Sequence, residues 1–341
     1  RREVVGHHDQ NIPLMIEMHR ILGATMREEQ SKIYPMRSTL EVPVLHSVDV
    51  CVLGGSLGAV AAAAAAARAG RSVLLLCERP YLGEDVTATL RFPRGERMPT
   101  PLGIALFGET AEHPPTPRHL KAVLDAHLIE AGVRFLFGCY GVAPLFDAEG
   151  GIGGCVAAGR SGLFGVRAEA VLDATFSAQF ARAAGLPFLR EEVTEVVVER
   201  VVLSLERREG DGVRIDPEVR PVRWKRVGDQ WPEANVYTHR HRFSLPAPDG
   251  SLCGHHALEL EARRRTWDPG LLYAADSVWY LPPEHLAPGA LSAGDEHRTC
   301  IEGLWVFGPS AAGAEVQRVP ANGIPQVLVG GERLGVSIAQ Q

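Results

Sequence analysis

The strongest constraint on this chain is the stretch from Val48 to Glu78, which predicts a strand, a tight glycine turn, a helix and a second strand. Val50 to Leu53 is an apolar run without a polar break, as a strand buried on both faces requires. Gly54 and Gly55 bend the chain, and the helix that follows contains seven consecutive alanines. Alanine is the best helix former, and its smooth surface lets a helix lie close to a sheet. This order predicts a βαβ unit with parallel strands.

The first turn of this unit has the chemistry of a dinucleotide site. Backbone amides at the turn and at the helix N-terminus face outward, and the helix dipole adds partial positive charge, so a pyrophosphate fits there. Glu78 ends the second strand twenty-four residues after Gly54, close to the ~20 residues expected before the acid that accepts ribose hydroxyls. The fingerprint reads Gly54-x-Ser56-x-x-Ala59; alanine is allowed at its third position, whereas Ser56 carries a Cβ. The alternative is a glycine-rich turn in another kind of βαβ unit.

Composition argues against several other classes of protein. The 341 residues predict one large or two smaller domains, and the net charge of −6 without a dense Lys/Arg stripe predicts no nucleic-acid partner. No apolar run approaches the ~20 residues that a membrane helix needs, so no membrane is expected. The six cysteines are scattered without a CxxC or Cys/His cluster, which predicts no metal and favours buried thiols in a cytoplasmic protein. The sequence begins at Arg1 rather than Met, so a removed leader stays open as an alternative.

Residues 1–45 precede the first strand and are predicted to be an N-terminal extension. Within it, Pro13 to Met26 has apolar residues at near-helical spacing and holds three of the five methionines. This predicts an amphipathic helix that packs on the main domain or on a partner in a homo- or hetero-oligomer. His7, His8 and Asp9 lack a fourth ligand nearby and are interpreted as a solvated terminus rather than a metal site.

The rest of the chain divides by composition into three parts. Residues 46–188 and 278–341 carry the patterns of buried strands and helices, whereas residues 189–277 alternate charged residues with valine and leucine. That alternation predicts an antiparallel sheet with one face in water. We therefore expect an α/β fold in which a Rossmann-like nucleotide-binding domain is made of two chain segments. A mainly antiparallel β substrate or cap domain is expected as an insertion between them.

Further elements follow from the same periodicities. They are a helix from His119 to Ala131, a strand from Val133 to Phe137, a hairpin from Gly141 to Gly159, strands from Phe164 to Ala168 and from Ala170 to Thr175, a helix from Ala178 to Ala184, a strand from Gly303 to Gly308 and a helix from Ile324 to Ile338. The glycines of residues 147–154 are interpreted as a hairpin turn because no parallel strand and helix flank them. Residues 93–117, rich in proline and glycine, are predicted to be an excursion outside the core.

Two histidines of the inserted segment are placed on one strand face. His239 and His241 are two residues apart in a strand-like stretch, so their side chains point the same way. They either face a substrate or form a solvated pair. Metal binding is a weaker interpretation because two ligands do not make a site.

Six segments, taken in this order, resemble the glutathione-reductase-type FAD-dependent oxidoreductases, and most closely the broad FAD-dependent oxidoreductase family. The segments are VPVLHSVDVCVLGGSLGA at 42–59, CERPYLGEDVTATLR at 77–91, LKAVLDAHLIEAGVRFLF at 120–137, VLDAT at 171–175, GLWVFGPS at 303–310 and RVPANG at 318–323. The chain departs from the family's pattern in three places. Phe176-Ser177 stand where Gly-Asp is usual, Pro309 replaces an acid, and Glu84 replaces the second glycine of the loop after Leu82.

The resemblance implies bound FAD and assigns residues to it. Gly54, Gly55, Ser56 and Ala59 would approach the pyrophosphate, and Glu78 would hold the adenosine ribose with Arg79 nearby. Val142 would offer backbone to the adenine, with Asp173 and Thr175 close by, and Gly83 and Thr87 would line the loop near the flavin. Gly308 would lie by the ribityl–phosphate region, and Asn322 and Gly323 would lie by the pyrimidine end of the ring. A helix N-terminus at that end stabilises negative charge on the reduced flavin.

The implied function is an FAD-dependent oxidoreductase that takes a hydride from a small organic substrate to the flavin. His239, His241 and His255 are the candidates for the base that removes a proton, because histidine titrates near neutral pH. Arg318 is the candidate for binding a substrate carboxylate or the charge of the reduced flavin. Two alternatives stay open: an NAD-dependent dehydrogenase with the same fingerprint, and a non-catalytic flavoprotein-like subunit that pairs with another chain.

Overall fold

A computed structural model describes residues 41–190, 192–210, 212–215, 220–223, 233–247, 252–267, 270–281, 284–292, 297–311 and 323–341. The predicted N-terminal helix, His7, His8, Arg318 and Asn322 lie outside the described residues. The chain divides into two units, residues 1–41 and 42–341. Every element with described bounds belongs to the second unit.

The first half of that unit contains the elements of the predicted nucleotide-binding domain. They are β1 (Val44–Leu53), α1 (Leu57–Arg68), β2 (Val73–Cys77), a π-helical turn (Glu84–Ala88), α2 (Pro101–Phe107), α3 (Pro117–Glu130), β3 (Arg134–Phe137), β4 (Tyr140–Phe146), β5 (Ile152–Gly159), β6 (Gly162–Asp173) and α4 (Gln179–Ala183). Strands β1 and β2 are parallel neighbours, and Gly70 follows the end of α1 with a φ of 94°. The predicted βαβ unit is therefore confirmed, and Gly70 ends its helix.

The second half contributes a second sheet and then returns to the first. Its elements are β7 (Phe188–Arg190), β8 (Glu195–Ser204), β9 (Val213–Ile215), β10 (Arg220–Arg223), β11 (Glu233–Pro246), α5 (Leu252–Arg265), β12 (Leu271–Ala274), β13 (Trp279–Tyr280), β14 (Glu284–Leu286), β15 (Leu304–Val306) and α6 (Ile324–Ala339). Strand β15 and helix α6 confirm the two elements expected near the end of the chain.

The main sheet has seven strands in the order β3-β2-β1-β6-β5-β4, and β15 also pairs with β6. Strands β3, β2, β1, β6 and β15 run parallel, whereas β5 and β4 are antiparallel additions. The sequence predicted two strands, 164–168 and 170–175, where the structure has the single strand β6. It is one strand because β1 pairs with it along nearly its whole length, from Val44 to Leu53. The parallel part is the Rossmann-like sheet that the sequence predicts.

The expectation that residues 93–117 form an excursion outside the core is wrong. They contain α2, whose Leu102, Leu106 and Phe107 are buried in the main hydrophobic core. Thr100 caps the helix by accepting a hydrogen bond from the Gly103 amide, and Pro101 occupies the first turn. Both are ordinary signals of a helix start, and the surrounding prolines and glycines obscured them.

The second sheet is antiparallel, with the order β10-β11-β8-β12, while β13 pairs with β8 and β9 with β11. This confirms the antiparallel prediction for the charged segment. Helix α5 in the same segment was not predicted. Its sequence is rich in arginine and glutamate, and among the helix residues whose burial is described only Leu258 and Ala262 are buried, in one core cluster with Val196 and Val198 of β8.

The alanines of α1 allow close packing against helix α6 as well as against the sheet. A Cβ added to Gly331 of α6 would lie 2.5 Å from the Gly58 carbonyl oxygen, and one on Gly335 would lie 2.2 Å from that of Ala62. The two helices therefore touch through their backbones, which only glycine and alanine allow. Contacts advance in the same direction along both helices, so their N-termini lie at the same edge of the sheet.

Across the described helices, none has both the length and the apolar character that crossing a membrane requires. Cys51, Cys77, Cys139 and Cys155 are buried free thiols, whereas Cys300 is exposed.

Candidate nucleotide-binding site

The carboxyl ends of the parallel strands bring several predicted residues to one edge of the sheet. Leu53 of β1 is paired with Leu76 on one side and with Asp173 on the other. Gly54 therefore follows β1 beside the ends of β2 and β6, and Glu78 follows β2 at the same edge. In open α/β sheets, ligands bind at this carboxyl edge.

Gly54 and Gly55 are required by close packing at the strand ends. Gly54 has a φ of 104°, and a Cβ there would lie 2.6 Å from the Ala174 carbonyl oxygen. A Cβ on Gly55 would lie 2.4 Å from Cys77 Sγ. These contacts leave the turn as bare backbone, which is what lets a ligand reach the amides.

Ser56 and Ala59 act in the fold itself. Ser56 is the N-cap of α1, and its hydroxyl accepts a hydrogen bond of 3.3 Å from the Ala59 amide. Ala59 is fully buried in the main core. The serine in the fingerprint is therefore explained as a helix cap, and direct contact of these two residues with a pyrophosphate stays a prediction.

The loop after Glu78 folds back onto the turn and presents carboxylates to it. The Gly83 amide donates to the Gly55 carbonyl oxygen at 2.7 Å. In the π-helical turn that follows, Asp85 Oδ1 accepts a hydrogen bond of 3.0 Å from the Leu57 amide at the N-terminus of α1. The Gly55 amide lies within reach of the Glu84 carboxyl group and lowers its pKa. One amide of the predicted pyrophosphate site, that of Leu57, thus already binds a carboxyl oxygen.

Three carboxyl groups near this turn have raised pKa values. Burial raises the pKa of Asp85 to about 7, against the opposing effect of the Leu57 amide. Burial also raises the pKa of Glu84. The pKa of Glu78 is raised to about 7, first by burial and then by the negative charges of Glu84 and Asp173. The turn therefore takes up protons near neutral pH.

Arg79 supplies positive charge beside these acids. Its Nε lies 3.9 Å from Glu84 Oε2, and its charge opposes the raised pKa of both Glu78 and Glu84. Its Nη2 donates to the hydroxyl of Ser277, and the Tyr81 hydroxyl donates to Asp276. The loop is thereby tied to the segment that leaves the second sheet.

Asp173 and Thr175 hold the turn after β6 together. Asp173 Oδ1 accepts from the Thr175 amide at 3.0 Å and from its hydroxyl at 2.7 Å, and Oδ2 accepts from the Ala181 amide at 2.8 Å. Burial still raises the pKa of Asp173. Both residues lie at the predicted edge, with their polar groups bound to protein, and contact with adenine stays a prediction.

The other residues assigned to the cofactor lie at or near this edge where they are described. Thr87 is buried in the π-helical turn. Val142 follows Gly141, whose added Cβ would lie 2.6 Å from Leu53, so β4 passes beside the end of β1. Gly308 has a φ of 141° and its added Cβ would lie 3.5 Å from the Thr175 carbonyl oxygen. Gly323 is the N-cap of α6. Gly331 lies opposite Gly58, so α6 begins about 9 Å before the level at which α1 begins, at 1.5 Å per residue.

His239 and His241 do share one strand face, but it is the face opposite to Arg240 and Arg242. His239 is fully buried, and its Nε2 accepts a hydrogen bond of 3.0 Å from the Arg208 amide. Arg240 on the other face reaches Glu199, which binds Arg91 of the nucleotide-binding half. The geometry therefore turns both histidines away from that contact, and their role as base stays a prediction.

His255 lies on α5 in a small polar group inside the second sheet's core. Its Nδ1 is 2.8 Å from the Tyr280 hydroxyl, and its Nε2 is 3.7 Å from Glu284 Oε1. Burial disfavours the charged form of Glu284, yet His255 and Arg182 hold the pKa of Glu284 below its usual value. Tyr280 also packs edge-on against Phe176, just after β6, with ring centroids 5.4 Å apart.

A group of basic residues between the two halves was missed by sequence reasoning. Arg91 is 8% exposed, its Nε donates to Glu199 Oε1 at 3.0 Å, and its guanidinium lies 4.0 Å from the centre of the Trp279 ring. Arg240 Nη1 lies 3.7 Å from the same glutamate oxygen. The alternation THRHRF at 238–243 was a usable signal, but only its histidines were considered. We call Arg91, Glu199, Arg240, Arg242 and Trp279 the arginine cluster.

The fold and the amide-lined turn define a dinucleotide-binding α/β protein. Residues 49–252 match the FAD dependent oxidoreductase family, so the chain belongs to that family of enzymes and its cofactor is FAD. No curated protein sequence matches the chain. Within the described residues, no group of three His, Cys, Asp or Glu side chains is arranged to hold a metal.

Solved structures share the fold at low sequence identity. AlpK is 15% identical with a TM-score of 0.50, over 86% of this chain and 62% of that protein. BexE is 17% identical with a TM-score of 0.50, again over 86% and 62%. The flavin-dependent brominase Bmp2 is 14% identical with a TM-score of 0.50, over 86% and 79%. At these identities the likeness shows the fold alone, and the glutathione-reductase subclass remains a prediction.

Proposed function

We propose that this protein is an FAD-dependent oxidoreductase that takes a hydride from a small organic substrate. The observation that carries the proposal is the turn at the N-terminus of α1, where the Leu57 amide binds a carboxyl oxygen of Asp85 and the Gly55 amide lowers the pKa of Glu84. Amides that bind anionic oxygens at a helix N-terminus fit the oxygens of a diphosphate. Glu78 lies at the same edge, where it fits the ribose of an adenine dinucleotide.

The residues present fit FAD if the two loop carboxylates yield to it. Gly54 and Gly55 supply the backbone approach. A diphosphate would take the Leu57 amide that Asp85 now binds and the place of Glu84 near the Gly55 amide. A protonated carboxyl group donates a hydrogen bond, so the raised pKa values of these acids let them remain beside phosphate oxygens as neutral groups. When bound, the flavin supplies the hydride acceptor. The N-terminus of α6, beginning after Gly323, would favour negative charge nearby.

We keep His255 as the proposed proton acceptor among the three histidine candidates. Its ring contacts the Tyr280 hydroxyl, and Tyr280 packs on Phe176, three residues after the end of β6. A tyrosine hydrogen-bonded to a histidine can relay a proton. Glu284 Oε1 lies 3.7 Å from Nε2, the other ring nitrogen of His255. A small-molecule substrate is the proposed hydride donor, and a separate electron acceptor reoxidises the flavin.

The proposal predicts that the purified protein is yellow and absorbs near ~450 nm, as bound flavin does. Heat-released cofactor should be identified as FAD at about one molecule per chain. Addition of a reducing substrate without oxygen should bleach the band. A colourless protein that does not bind added FAD between pH 5 and pH 8 would contradict the proposal.

A second candidate, a flavoprotein-like subunit without activity of its own, is favoured by the same acid pair. Asp85 occupies the Leu57 amide that a diphosphate needs, and Glu84 lies near the Gly55 amide, which weakens the hold on a cofactor. In that case the flavin would stay oxidised with every substrate until another protein is added. Reduction of the isolated chain's flavin by a substrate would exclude it.

FAD binding is expected to weaken as the pH rises above about 7. Binding brings two phosphate charges beside Asp85, so a carboxyl group with a pKa of about 7 must stay protonated and resists the ligand once it ionises. Glu78, Glu84 and Asp173 add negative charge at this turn, while Arg79 and Arg91 oppose it. If one proton is taken up, the dissociation constant rises up to about tenfold per pH unit above 7.

This pH dependence is measured by titrating cofactor-free protein with FAD from pH 5 to pH 9. Asp85→Asn should bind FAD more tightly than the wild type at pH 9 and flatten the pH profile. Asp147→Asn, at an exposed hairpin carboxylate, is the matched control and should keep the wild-type profile. Equal FAD affinity of the wild type at pH 6 and pH 9 would contradict the expected proton uptake.

A further inference from the structure

We propose that the arginine cluster binds a carboxylate group, so that the substrate of this oxidoreductase is an organic anion. The identity of that anion as substrate rests on the function proposed above. The binding of an anion does not, because it follows from the arginine cluster's own geometry and charge.

The arginine cluster lies where the second sheet meets the nucleotide-binding half. Glu199 of β8 pairs across the sheet with Arg242 on one side and with Trp279 on the other, so all three project from one face. Val201, two residues further along β8, belongs to the same hydrophobic core as Val86 of the π-helical turn. The face that carries the arginine cluster therefore turns toward the loop that reaches the cofactor site.

Positive charge exceeds negative charge at this place. The charges of Arg240 and Arg242 both act on Arg91, with Glu199 as the close carboxylate. Asp85 also lies within electrostatic reach of Arg91. Burial lowers the pKa of Arg91, the two other arginines lower it further, and Glu199 opposes them. An excess cation in a partly dry site is costly unless an anion compensates it.

Arg91 has donors to spare in this setting. Its Nε binds Glu199, and among the described residues its two terminal amino groups have no hydrogen-bond acceptor. The side chain is 10% exposed, so it is largely buried yet still in contact with solvent. Stacking on Trp279 fixes the guanidinium plane. A fixed planar fork with free donors matches a carboxylate, which accepts two parallel hydrogen bonds.

The position links this anion site to the flavin chemistry. Arg91 lies six residues after Asp85, whose carboxylate contacts the Leu57 amide of the cofactor turn. The Tyr81–Asp276 hydrogen bond ties the same loop to the strand segment before Trp279. A carboxylate held by Arg91 therefore brings the rest of a small substrate near the cofactor.

The experiment is calorimetric titration of the flavin-loaded protein at pH 7 and fixed ionic strength. The probes are benzoate, its neutral isostere benzamide, and phenyl phosphate. Benzoate should bind saturably, and benzamide at least about tenfold more weakly, because a hydrogen bond to a charged group contributes about 1.5–3 kcal/mol. Arg91→Lys should weaken benzoate binding at least tenfold, since lysine lacks the fork. Arg134→Gln, an exposed arginine on β3, is the control and should bind like the wild type.

Three results would overturn the proposal. Benzamide binding as tightly as benzoate would remove the charge requirement, and tighter binding of phenyl phosphate would assign the arginine cluster to a phosphate instead. Unchanged benzoate binding by Arg91→Lys would remove the residue. If Arg91→Lys fails to fold, Arg242→Gln, at an exposed position, should still weaken benzoate about threefold or more, and no change there counts against the proposal. The ~450 nm absorbance is recorded separately, so loss of flavin and loss of anion binding are distinguished.

Discussion

Replacing Asp85 by asparagine is expected to raise the free energy of unfolding by up to about 4 kcal/mol at pH 9, by about 1.5 kcal/mol at pH 5 and by little below about pH 4. Asp85 is buried, and its pKa in the folded chain is about 7 instead of 3.8. Between those two values the folded state holds a proton that the unfolded state has lost, so stability falls as the pH rises from about 4 to about 7. A difference of about three pH units corresponds to about 4 kcal/mol. Asparagine cannot ionise, and its side-chain oxygen can still accept a hydrogen bond from the Leu57 amide.

The measurement is urea unfolding of both proteins, without FAD, from pH 5 to pH 9. The gain of Asp85→Asn should grow between pH 5 and pH 7 and then level off, because the wild-type carboxylate is ionised above that. Asp147→Asn should show no such gain. The wild-type Asp147 carboxylate lies in an exposed turn, where it accepts a hydrogen bond from the Gly151 amide. Equal stability of wild type and Asp85→Asn at pH 9 would mean that the buried charge is compensated.

Replacing Gly335 by alanine is expected to destabilise the protein by about 3 kcal/mol. Its new Cβ would lie 2.2 Å from the Ala62 carbonyl oxygen and 2.8 Å from the Ala65 Cβ. Neither neighbour is the end of a flexible side chain, so α6 must move away from α1 as a unit. Overpacking of this kind costs about 1–3 kcal/mol and occasionally more. Gly331→Ala meets the Gly58 carbonyl oxygen at 2.5 Å and should be similarly costly.

Gly330 on the same helix provides the matched control. A Cβ there would lie 3.3 Å from the Phe307 ring, which can adjust, and alanine gains about 1 kcal/mol of helix propensity over glycine. Gly330→Ala should therefore change the unfolding free energy by less than about 1 kcal/mol. Thermal and urea unfolding of the three variants checks this. Similar effects at 330 and 335 would mean that α1 and α6 are not in backbone contact.

Local signals were sufficient for much of the nucleotide-binding fold. The βαβ unit was predictable because its strands are uniformly apolar, its helix is alanine-rich and Gly70 marks the stop. Helix α3 was predictable from its apolar periodicity, and the β4–β5 hairpin from the glycine-rich turn at 147–154. Helix α2 was missed although Thr100 and Pro101 signal its start, since composition was given more weight than capping. Helix α5 was missed because it buries so few apolar residues that its periodicity is weak.

The site was predictable only in part. The positions of Gly54 and Glu78 at one sheet edge follow from their places at the ends of parallel strands, and both are confirmed. The fold-back of the acidic loop was not predictable, because a π-helical turn has no sequence period and its contacts join residues twenty-eight positions apart. The arginine cluster joins Arg91 to Glu199, more than a hundred positions apart.

By itself, the sequence determined the βαβ unit and the antiparallel character of the second sheet, because each depends on residues close together in the chain. It also determined membership of a flavin-dependent family, because the order of several short segments carries that resemblance. Only the tertiary structure decided which groups fill the amides at the helix N-terminus, why α1 must be alanine, and which face of β11 turns toward the cofactor half. Those outcomes depend on close approach between distant segments. Such contacts are settled by packing and buried charge, which no local pattern records.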